Sequence, residues 1–296
     1  MPPDPVPGST PVSPIVLEEL WNAGLPGDEH PAGTRGEPLP DALRAAYGGP
    51  LRIPLREDRA TLLMNFVETL DGVVALGPGE QAGGAVISGH NAADRFVMAL
   101  LRAVADVVLM GGGTVAGSSS HQWTAAHLHP ASADVFREWR TAMGLVAEPT
   151  VVIVTGSGEL RLGRRGLDDP DVPIILATTP GGADTLRRAG LPPHARIEVA
   201  GDDDHLTGHE IAGILERVGG RVVLSEGGPH LYGALAGADL VDELFLTLAP
   251  QIVGRGHGGR LGLVEGLELP ADTARWHELA SVKRDGDHLF LRYRRR

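Results

Sequence analysis

Short apolar runs alternate with amphipathic stretches along most of this chain. The apolar runs are rich in β-branched residues and end in glycine or hydroxyl residues, a pattern typical of strands that helices cover on both faces. The pattern predicts strands at residues 61–66, 106–110, 150–154, 174–177, 196–199 and 221–224.

Between these strands, apolar positions recur at helical spacing. Phe96, Val97, Leu100 and Leu101 share one face of a helix predicted at residues 92–104, for which Ser88 or Asn91 is a candidate N-cap. Further helices are predicted at residues 133–143, from about 182, at 210–218 and at 230–236. The alternation predicts an α/β fold of three layers, with a mostly parallel central sheet and helices on both faces. Strands at residues 243–248 and 288–293 are expected to be late and antiparallel.

The amino-terminal region differs in composition from the rest. Residues 1–51 are predicted to be a proline-rich arm, partly disordered, and residues 52–296 a single domain. Within the arm, residues 41–47 predict one short helix. The arm is interpreted as a surface wrap, with a lid or a dimer contact as the alternative.

Charge and residue usage exclude several classes of function. The net charge of −12 disfavours nonspecific binding to nucleic acid or to an anionic membrane. The chain has no cysteine, which excludes disulfides and thiolate zinc sites. No apolar run has the length of a membrane span and the start does not have the pattern of a signal peptide, so a cytoplasmic protein is expected.

The first candidate site lies where the strand at 221–224 ends. Ser225, Glu226, Gly227, Gly228 and Pro229 follow this strand and precede a predicted helix. The glycines allow backbone N–H groups to approach a ligand, and a helix N-terminus favours an anion such as phosphate. A plain strand-to-helix turn is the alternative interpretation.

A second glycine-rich segment follows the strand at 106–110. Gly111, Gly113 and Ala116 satisfy the dinucleotide-binding pattern G-x-G-x-x-A. The sequence GSSSH at residues 117–121 continues a helix poorly, and no acidic strand end lies at the usual distance, so the Rossmann interpretation is rejected.

Several segments together resemble a known family. They are LDG at 70–72, Arg102-Ala103, ADVVLMGGGTV at 105–115, EGGPHL at 226–231 and LVDELFLTLAPQIVG at 240–254. In this order they resemble the pyrimidine reductases of riboflavin biosynthesis, the carboxy-terminal domain of the bifunctional deaminase-reductase, whose fold is like that of dihydrofolate reductase. The zinc deaminase module itself is excluded, because it needs cysteines that this chain lacks.

The resemblance implies an NADPH-dependent reductase of a pyrimidine or pterin-like heterocycle. The implied cofactor-binding residues are Gly111, Gly112, Gly113, Thr114, Val115, Gly227, Gly228, His230 and Leu231. Thr155 and Ser157, with Arg161 beyond, are where the family receives the 2′-phosphate of the cofactor, since small hydroxyls and a cation suit a dianion. The family also implies a homodimer.

Hydride transfer to a ring also needs a proton source. Asp71 or Glu226 is the expected donor, through a pKa raised by partial burial, although Asp71 is equally suited to cap a turn and Glu226 to accept hydrogen bonds from the substrate. The expected substrate-binding residues are Asn65, Thr69, Ser88 and His121. Asn65 stands where relatives carry Lys or Asn.

One segment departs from the family. After Gly-Thr-Val the family has an Asp-Asp-Pro segment that helps to hold the substrate, but this chain has AGSSSHQWTAAHLHP. A reductase of dihydrofolate or another heterocycle, or a non-catalytic nicotinamide-nucleotide-binding protein, therefore stays open as an alternative. His121, His127 and His129 are not expected to bind a metal, because no carboxylate partner is apparent and the family uses none. His121 and Trp123 are candidates for lining a substrate pocket.

Overall fold

The structure, a computed structural model, describes residues 15–24, 33–77, 83–116, 122–160, 167–202, 204–255 and 259–296. The strands in chain order are β1 (Glu18–Asn22), β2 (Thr34–Arg35), β3 (Ile53–Pro54), β4 (Thr61–Thr69), β5 (Val107–Gly111), β6 (Thr150–Thr155), β7 (Ile174–Thr178), β8 (Ala195–Val199), β9 (Val222–Ser225), β10 (Glu243–Ala249), β11 (His277–Asp285) and β12 (His288–Arg295).

The helices match the predicted amphipathic stretches, with several short additions. They are α1 (Asp41–Tyr47), α2 (Gly84–Ile87), α3 (Ala92–Val104), α4 (Gly112–Ala116), α5 (Ala125–Leu128), α6 (Ala133–Ala142), α7 (Pro180–Ala189), α8 (Gly208–Val218) and α9 (Pro229–Gly237). As predicted, the Asn91 side chain caps α3, accepting a hydrogen bond of 2.8 Å from the Asp94 N–H. The described part of the chain contains no helix long and apolar enough to cross a membrane.

Ten strands form one sheet in the order β1-β11-β12-β10-β4-β9-β5-β6-β7-β8, and β2 and β3 form a separate pair. Seven adjacent strands run parallel to one another, which confirms the predicted mostly parallel sheet; they are β10, β4, β9, β5, β6, β7 and β8. The expectation that β10 is antiparallel is only half right. It pairs antiparallel with β12 but parallel with β4, so it joins the two parts of the sheet.

Apolar cores lie on both faces of the sheet, as a three-layer fold requires. We call one face the α3 face, where strand residues pack against α1, α3 and α6; its members include Leu63, Phe96, Leu100, Phe136, Leu224 and Phe245. We call the other the α9 face, where they pack against α8 and α9; its members include Leu62, Met64, Ile214, Val223, Leu235 and Leu246.

Two segments differ from the elements that the sequence predicts. Strand β4, predicted at residues 61–66, continues to Thr69, because its alternating pattern of burial persists to that residue. The glycine-rich segment after β5 forms the short helix α4, which was not predicted. Strand β11, which the sequence did not predict, forms a hairpin with β12.

The described residues of the amino-terminal arm pack into the domain. Strand β1 forms an edge of the sheet by pairing with β11. Leu17, Leu43 and Tyr47 are at most 4% exposed and belong to the core of the α3 face. The boundary at residue 52 stays a prediction, but apolar packing crosses it. The segment at 1–14, expected to be disordered, lies outside the described residues.

Candidate functional site

The parallel strands bring most of the predicted site residues to one edge of the sheet. Because β4, β9, β5 and β6 run in the same direction, their carboxyl ends meet at this edge, where ligands bind in open α/β sheets. Asp71 follows β4, Glu226 to Gly228 follow β9, Gly112 to Thr114 follow β5, and Ser157 follows β6. Candidate functional residues from four separate stretches of the sequence therefore lie at this edge.

The two glycine-rich turns lie against each other. The Glu226 N–H donates to the Leu109 carbonyl of β5 at 2.9 Å. A Cβ atom on Gly111 would lie 4.0 Å from the Gly228 nitrogen, and one on Gly228 would lie 3.7 Å from the Thr114 hydroxyl. The backbones of the two turns thus lie side by side. The cofactor-binding role of these residues stays a prediction.

This surface has the properties that a dinucleotide phosphate needs. Among the residues that the structure describes, none has an atom within 4 Å of a Cβ placed on Gly113, which is itself exposed. Helix α9 begins after Gly228 with no side-chain cap, which leaves its amino-terminal N–H groups to a ligand. Leu231 contributes only backbone there, since its side chain is 7% exposed and packs in the α9-face core. The His230 side chain is exposed.

The described residues include only part of the predicted site for the 2′-phosphate of the cofactor. Thr155 is buried, and its hydroxyl accepts a hydrogen bond from the Gly158 N–H at 3.1 Å, so it stabilises its own turn. Ser157 is exposed and accepts from the Glu159 N–H at 3.2 Å. Arg161 lies outside the described residues.

Asp71 organises a turn beside the site. Its carboxylate accepts hydrogen bonds from the Thr69 hydroxyl at 2.6 Å and from the N–H groups of Val253 and Gly254 at 3.3 and 2.6 Å. The hydrogen bond from Thr69 is the main cause that lowers the pKa of Asp71, and the two N–H groups lower it further. The expected rise in its pKa is therefore wrong. Thr69 is fully buried, and its hydroxyl also accepts from the Val73 N–H, so it belongs to the turn.

Glu226 is committed to an ion pair. Both of its carboxylate oxygens accept from the Arg102 guanidinium, at 2.7 and 2.6 Å. Arg102 is fully buried and lies over the Trp123 ring at 5.5 Å. Its other guanidinium nitrogen donates to the carbonyls of Gln122 and Thr124. The pair joins α3 to the strand end that carries the second glycine turn.

Asn65 does not face the glycine turns. It shares the α3 face with Leu63 and lines a cavity of about 10 Å³ together with Tyr47, Val97, Thr247, Ser281, Lys283 and Arg292. That volume holds at most one water molecule and not a heterocyclic ring. The substrate-binding role of Asn65 stays a prediction.

Ser88 leads to a residue that the sequence reasoning missed. Ser88 is 1% exposed, and its hydroxyl donates to the Ala85 carbonyl at 3.2 Å; the nearby Asp94 is 5% exposed. Burial raises the pKa of Asp94, and hydrogen bonds from the Thr247 and Ser88 hydroxyls only partly offset the rise. An Asp in the first turn of a helix normally interacts with the helix dipole, so its sequence position gave no sign of this environment.

Two of the histidine and tryptophan candidates, His129 and Trp123, pack in apolar cores. His129 packs edge-on against Phe96 and Phe136 in the α3-face core, and burial lowers its pKa. Trp123 is 4% exposed and packs in the core beside β5 and β6, so it does not line an open pocket. His121 lies outside the described residues. Within the described ranges, no group of three or more metal-ligating side chains forms.

The sequence matches the family model described as the RibD C-terminal domain over residues 60–290. No curated protein matches the chain significantly.

Solved structures of pyrimidine reductases share this fold. The chain is similar to a pyrimidine reductase-like protein from Corynebacterium diphtheriae, with 17% identity, a TM-score of 0.59, and coverage of 80% of this chain and 92% of that one. It is similar to the deaminase/5-amino-6-(5-phosphoribosylamino)uracil reductase of Thermotoga maritima, with 22% identity, a TM-score of 0.59, and coverage of 80% and 57%. It is similar to the riboflavin biosynthesis reductase of Saccharomyces cerevisiae, with 16% identity, a TM-score of 0.54, and coverage of 80% and 90%.

Proposed function

Because this chain belongs to the family of RibD C-terminal domains, and is thus an oxidoreductase of the pyrimidine-reductase type, we propose that it uses NADPH to reduce a pyrimidine or pterin-like heterocycle. The observation that carries the proposal is the contact between the two glycine-rich turns at the carboxyl ends of β5 and β9. Their backbone is proposed to form a surface for a dinucleotide at the edge where such sheets bind ligands.

In this proposal, backbone groups of the chain bind the cofactor, and the turn at Asp71 lies beside the heterocycle. The N–H groups that begin α9 and the turn at Gly112 to Thr114 hold the phosphates through hydrogen bonds and the positive end of the helix dipole. When bound, the reduced nicotinamide supplies the hydride. The heterocycle lies beyond these turns, beside the carboxyl ends of β4 and β10, where the Asp71 turn closes one side.

The preference for NADPH over NADH is part of the proposal. Ser157 is exposed at the end of β6 and presents a hydroxyl where the adenosine 2′-phosphate would lie. Arg161, four residues further on, supplies the cation that would favour a dianion. Replacing Ser157 with Ala is expected to weaken NADPH binding and leave NADH binding unchanged.

A valine at Gly113 tests the cofactor surface without disturbing the fold. A Cβ there meets no atom of the described residues within 4 Å, so the added side chain enters the space proposed for the dinucleotide. Gly213 in α8 is the matched control, because its nearest neighbour is the flexible Arg217 head at 3.8 Å. Titration with NADPH and NADH, followed by nicotinamide fluorescence, should show the Kd of Gly113→Val raised about tenfold or more, a loss of at least about 1.4 kcal/mol, with Gly213→Val unchanged.

Binding of neither cofactor by the wild-type protein would contradict the proposal. Cofactor binding without hydride transfer to any heterocycle would instead favour a non-catalytic nucleotide-binding protein. A panel that includes 5-amino-6-(5-phosphoribosylamino)uracil and dihydrofolate, each under single-turnover conditions, separates the pyrimidine substrate from the pterin alternative.

We also propose that the protein is a homodimer. Among the described strands, β1 ends the sheet, and its outer edge pairs with no other strand. Leu20 and Trp21 of β1 are 46% and 44% exposed, and Val16, two residues before the strand, is 58% exposed. An unpaired edge with apolar side chains is suited to pairing with a second copy around a two-fold axis.

A further inference from the structure

The cavity of about 10 Å³ on the α3 face is lined by polar side chains from neighbouring strands. One row across the sheet contains Asn65 of β4, Phe245 of β10, Arg292 of β12 and Ser281 of β11. Lys283 pairs with Phe290 in the next row, and it lies on the same face because it is two residues along the strand from Ser281. The strand register thus brings two cations, an amide and a hydroxyl to one small space.

The two cations that line the cavity are buried. Lys283 is 3% exposed and Arg292 is 7% exposed. Their carboxylate partners do not line the cavity: the Lys283 ammonium donates to Glu19 at 2.9 Å, and both oxygens of Glu243 accept from Arg292, at 2.7 and 3.0 Å. Glu243 is shared, because it also accepts from Arg294 at 2.8 Å. None of the described residues that line the cavity is acidic.

The neutral polar groups of the lining favour the same kind of occupant. The Asn65 amide carries two N–H donors, and the Ser281 hydroxyl carries one. Apart from Thr247, the remaining lining residues are apolar or aromatic. In such surroundings a charge interacts more strongly than it does in water. An occupant therefore meets two positive charges and hydrogen-bond donors, which together favour a negative charge.

The size of the cavity restricts the choice of anion. About 10 Å³ accommodates an occupant close to one water molecule in size. Phosphate, sulfate and the carboxylate of a metabolite have several heavy atoms and are too large. A monatomic anion such as chloride has the size and the charge that the lining requires.

Lys283 is the only lysine in the sequence, whereas every other cationic side chain of the Lys/Arg type is arginine. Its ammonium is a compact charge with three donors. Besides Glu19 of β1 it donates to the Gly48 carbonyl after α1, at 2.8 Å, and it lies 4.7 Å from the centre of the Tyr47 ring. Lys283 thus connects the amino-terminal arm to the sheet beside the cavity.

We propose that this cavity is a chloride site, in which Lys283 and Arg292 supply the charge and Asn65 and Ser281 donate hydrogen bonds to the ion. The bound ion offsets the repulsion between the two buried cations and so stabilises the attachment of the arm through Lys283. The site is independent of the proposed reductase function.

The charged groups around Lys283 give the direction in which chloride changes its protonation. Burial lowers the pKa of Lys283, the hydrogen bond and charge of Glu19 raise it, and the charge of Arg292 lowers it again. A negative ion in the cavity acts in the same direction as Glu19. Chloride should therefore raise the pKa of Lys283.

The first test uses Lys283 as its own reporter. Because the chain has one lysine, protein labelled with [13Cε]lysine gives a single lysine signal in NMR spectra. Sodium chloride is exchanged for sodium gluconate at constant ionic strength, so that general screening does not change. The signal should shift to a saturating value with chloride, and its alkaline titration should move to higher pH. A signal that chloride does not shift overturns the inference.

The second test measures thermal unfolding in the same pair of salts. At about five times its Kd, chloride should raise the Tm of the wild type by about 2 °C, since it binds the folded state alone. Iodide should stabilise less because it is larger, whereas nonspecific binding to surface arginines would favour the weakly hydrated iodide. Equal Tm values in chloride and gluconate, or a larger effect of iodide, overturn the inference.

Matched variants assign the chloride effect to the cavity. Lys283→Met should lose it, and Arg284→Met should keep it, because Arg284 pairs with Glu18 at the surface. Asn65→Leu serves where Lys283→Met does not fold, since leucine removes the amide donors and fills the cavity; it should also lose the effect. A chloride effect that persists in either cavity variant overturns the inference.

Discussion

At the scale of single residues, the bond between Arg102 and Glu226 fixes the strand end that carries the second glycine turn. Glu226 was expected to donate a proton or to contact the substrate, and the structure shows both of its oxygens on a buried guanidinium. A group committed in this way positions the backbone of Gly227 and Gly228. Loss of activity on its replacement would therefore not by itself identify it as a catalytic residue.

Replacing Glu226 with Gln should destabilise the protein by about 3 to 5 kcal/mol, because it removes the negative charge that the fully buried Arg102 faces. Asp134→Asn is the control, since that carboxylate pairs with Arg137 on the surface and is 85% exposed; its effect should be below about 1 kcal/mol. Urea unfolding of the wild type and the two variants measures both changes in the free energy of unfolding. Equal stabilities for the two variants would show that the buried pair does not stabilise the fold.

At the scale of elements, the contact between α8 and α9 orients the helix whose N-terminus belongs to the site. Gly208 begins α8, and a Cβ there would lie 2.2 Å from the Ala234 carbonyl oxygen of α9. Because the contacting oxygen belongs to the backbone of α9, it cannot move aside unless the helix itself moves. The glycine therefore determines how near the two helices lie.

Two alanine substitutions within α8 should have opposite effects. Gly208→Ala should cost about 1 to 3 kcal/mol through overpacking against α9. Gly213→Ala, which meets only the Arg217 side chain, should stabilise the protein by about 0.5 to 1 kcal/mol, the usual gain from replacing a helical glycine. Thermal unfolding distinguishes them by the sign of the change in Tm. A stabilising effect at Gly208 would contradict the helix contact described here.

At the scale of the whole molecule, the amino-terminal arm contributes to the core although the family match begins at residue 60. The Leu17 N–H donates to the Ala46 carbonyl, and Gly48 ends α1 with a φ of 71°. A Cβ at Gly48 would lie 2.0 Å from the Leu17 carbonyl oxygen, so the turn needs glycine for both conformation and space.

Replacing Leu43 with Ala should cost about 2 to 5 kcal/mol, as for any fully enclosed leucine. Leu269→Ala, at a position that is 36% exposed, should change stability by about 0.5 kcal/mol or less. The free energies of unfolding in denaturant, measured for the wild type and the two variants, check both predictions. A Leu43 variant as stable as the Leu269 variant would mean that the arm only wraps the surface.

Light scattering tests the proposed dimer at the edge of the sheet. The wild type should have twice the mass of one chain, and Leu20→Lys should shift it towards the monomer because the new charge lies in the apolar edge of β1. Val146→Lys, at a loop position that is 67% exposed, should stay dimeric. A wild type that is monomeric at every concentration contradicts the dimer.

The sequence by itself determined the layered α/β fold and the place of the glycine turns. Buried parallel strands leave β-branched runs that end in glycine, and helix α3 shows its apolar face and its Asn91 cap directly. These signals are local, so they can be read without knowing which strands are neighbours. The strand order, the mixed pairing of β10 and the hairpin of β11 with β12 depend on contacts far apart in the chain.

Only the tertiary structure decided the chemical state of the candidate acids. Asp71, Glu226 and Asp94 are all carboxyl groups beside turns or helix ends, and their sequence neighbours do not distinguish them. The first is held by nearby N–H groups and a hydroxyl, the second by a guanidinium from α3, and the pKa of the third is raised by burial. A pKa depends on charges, hydrogen bonds and solvent within a few ångströms, and it is the fold that brings those groups together.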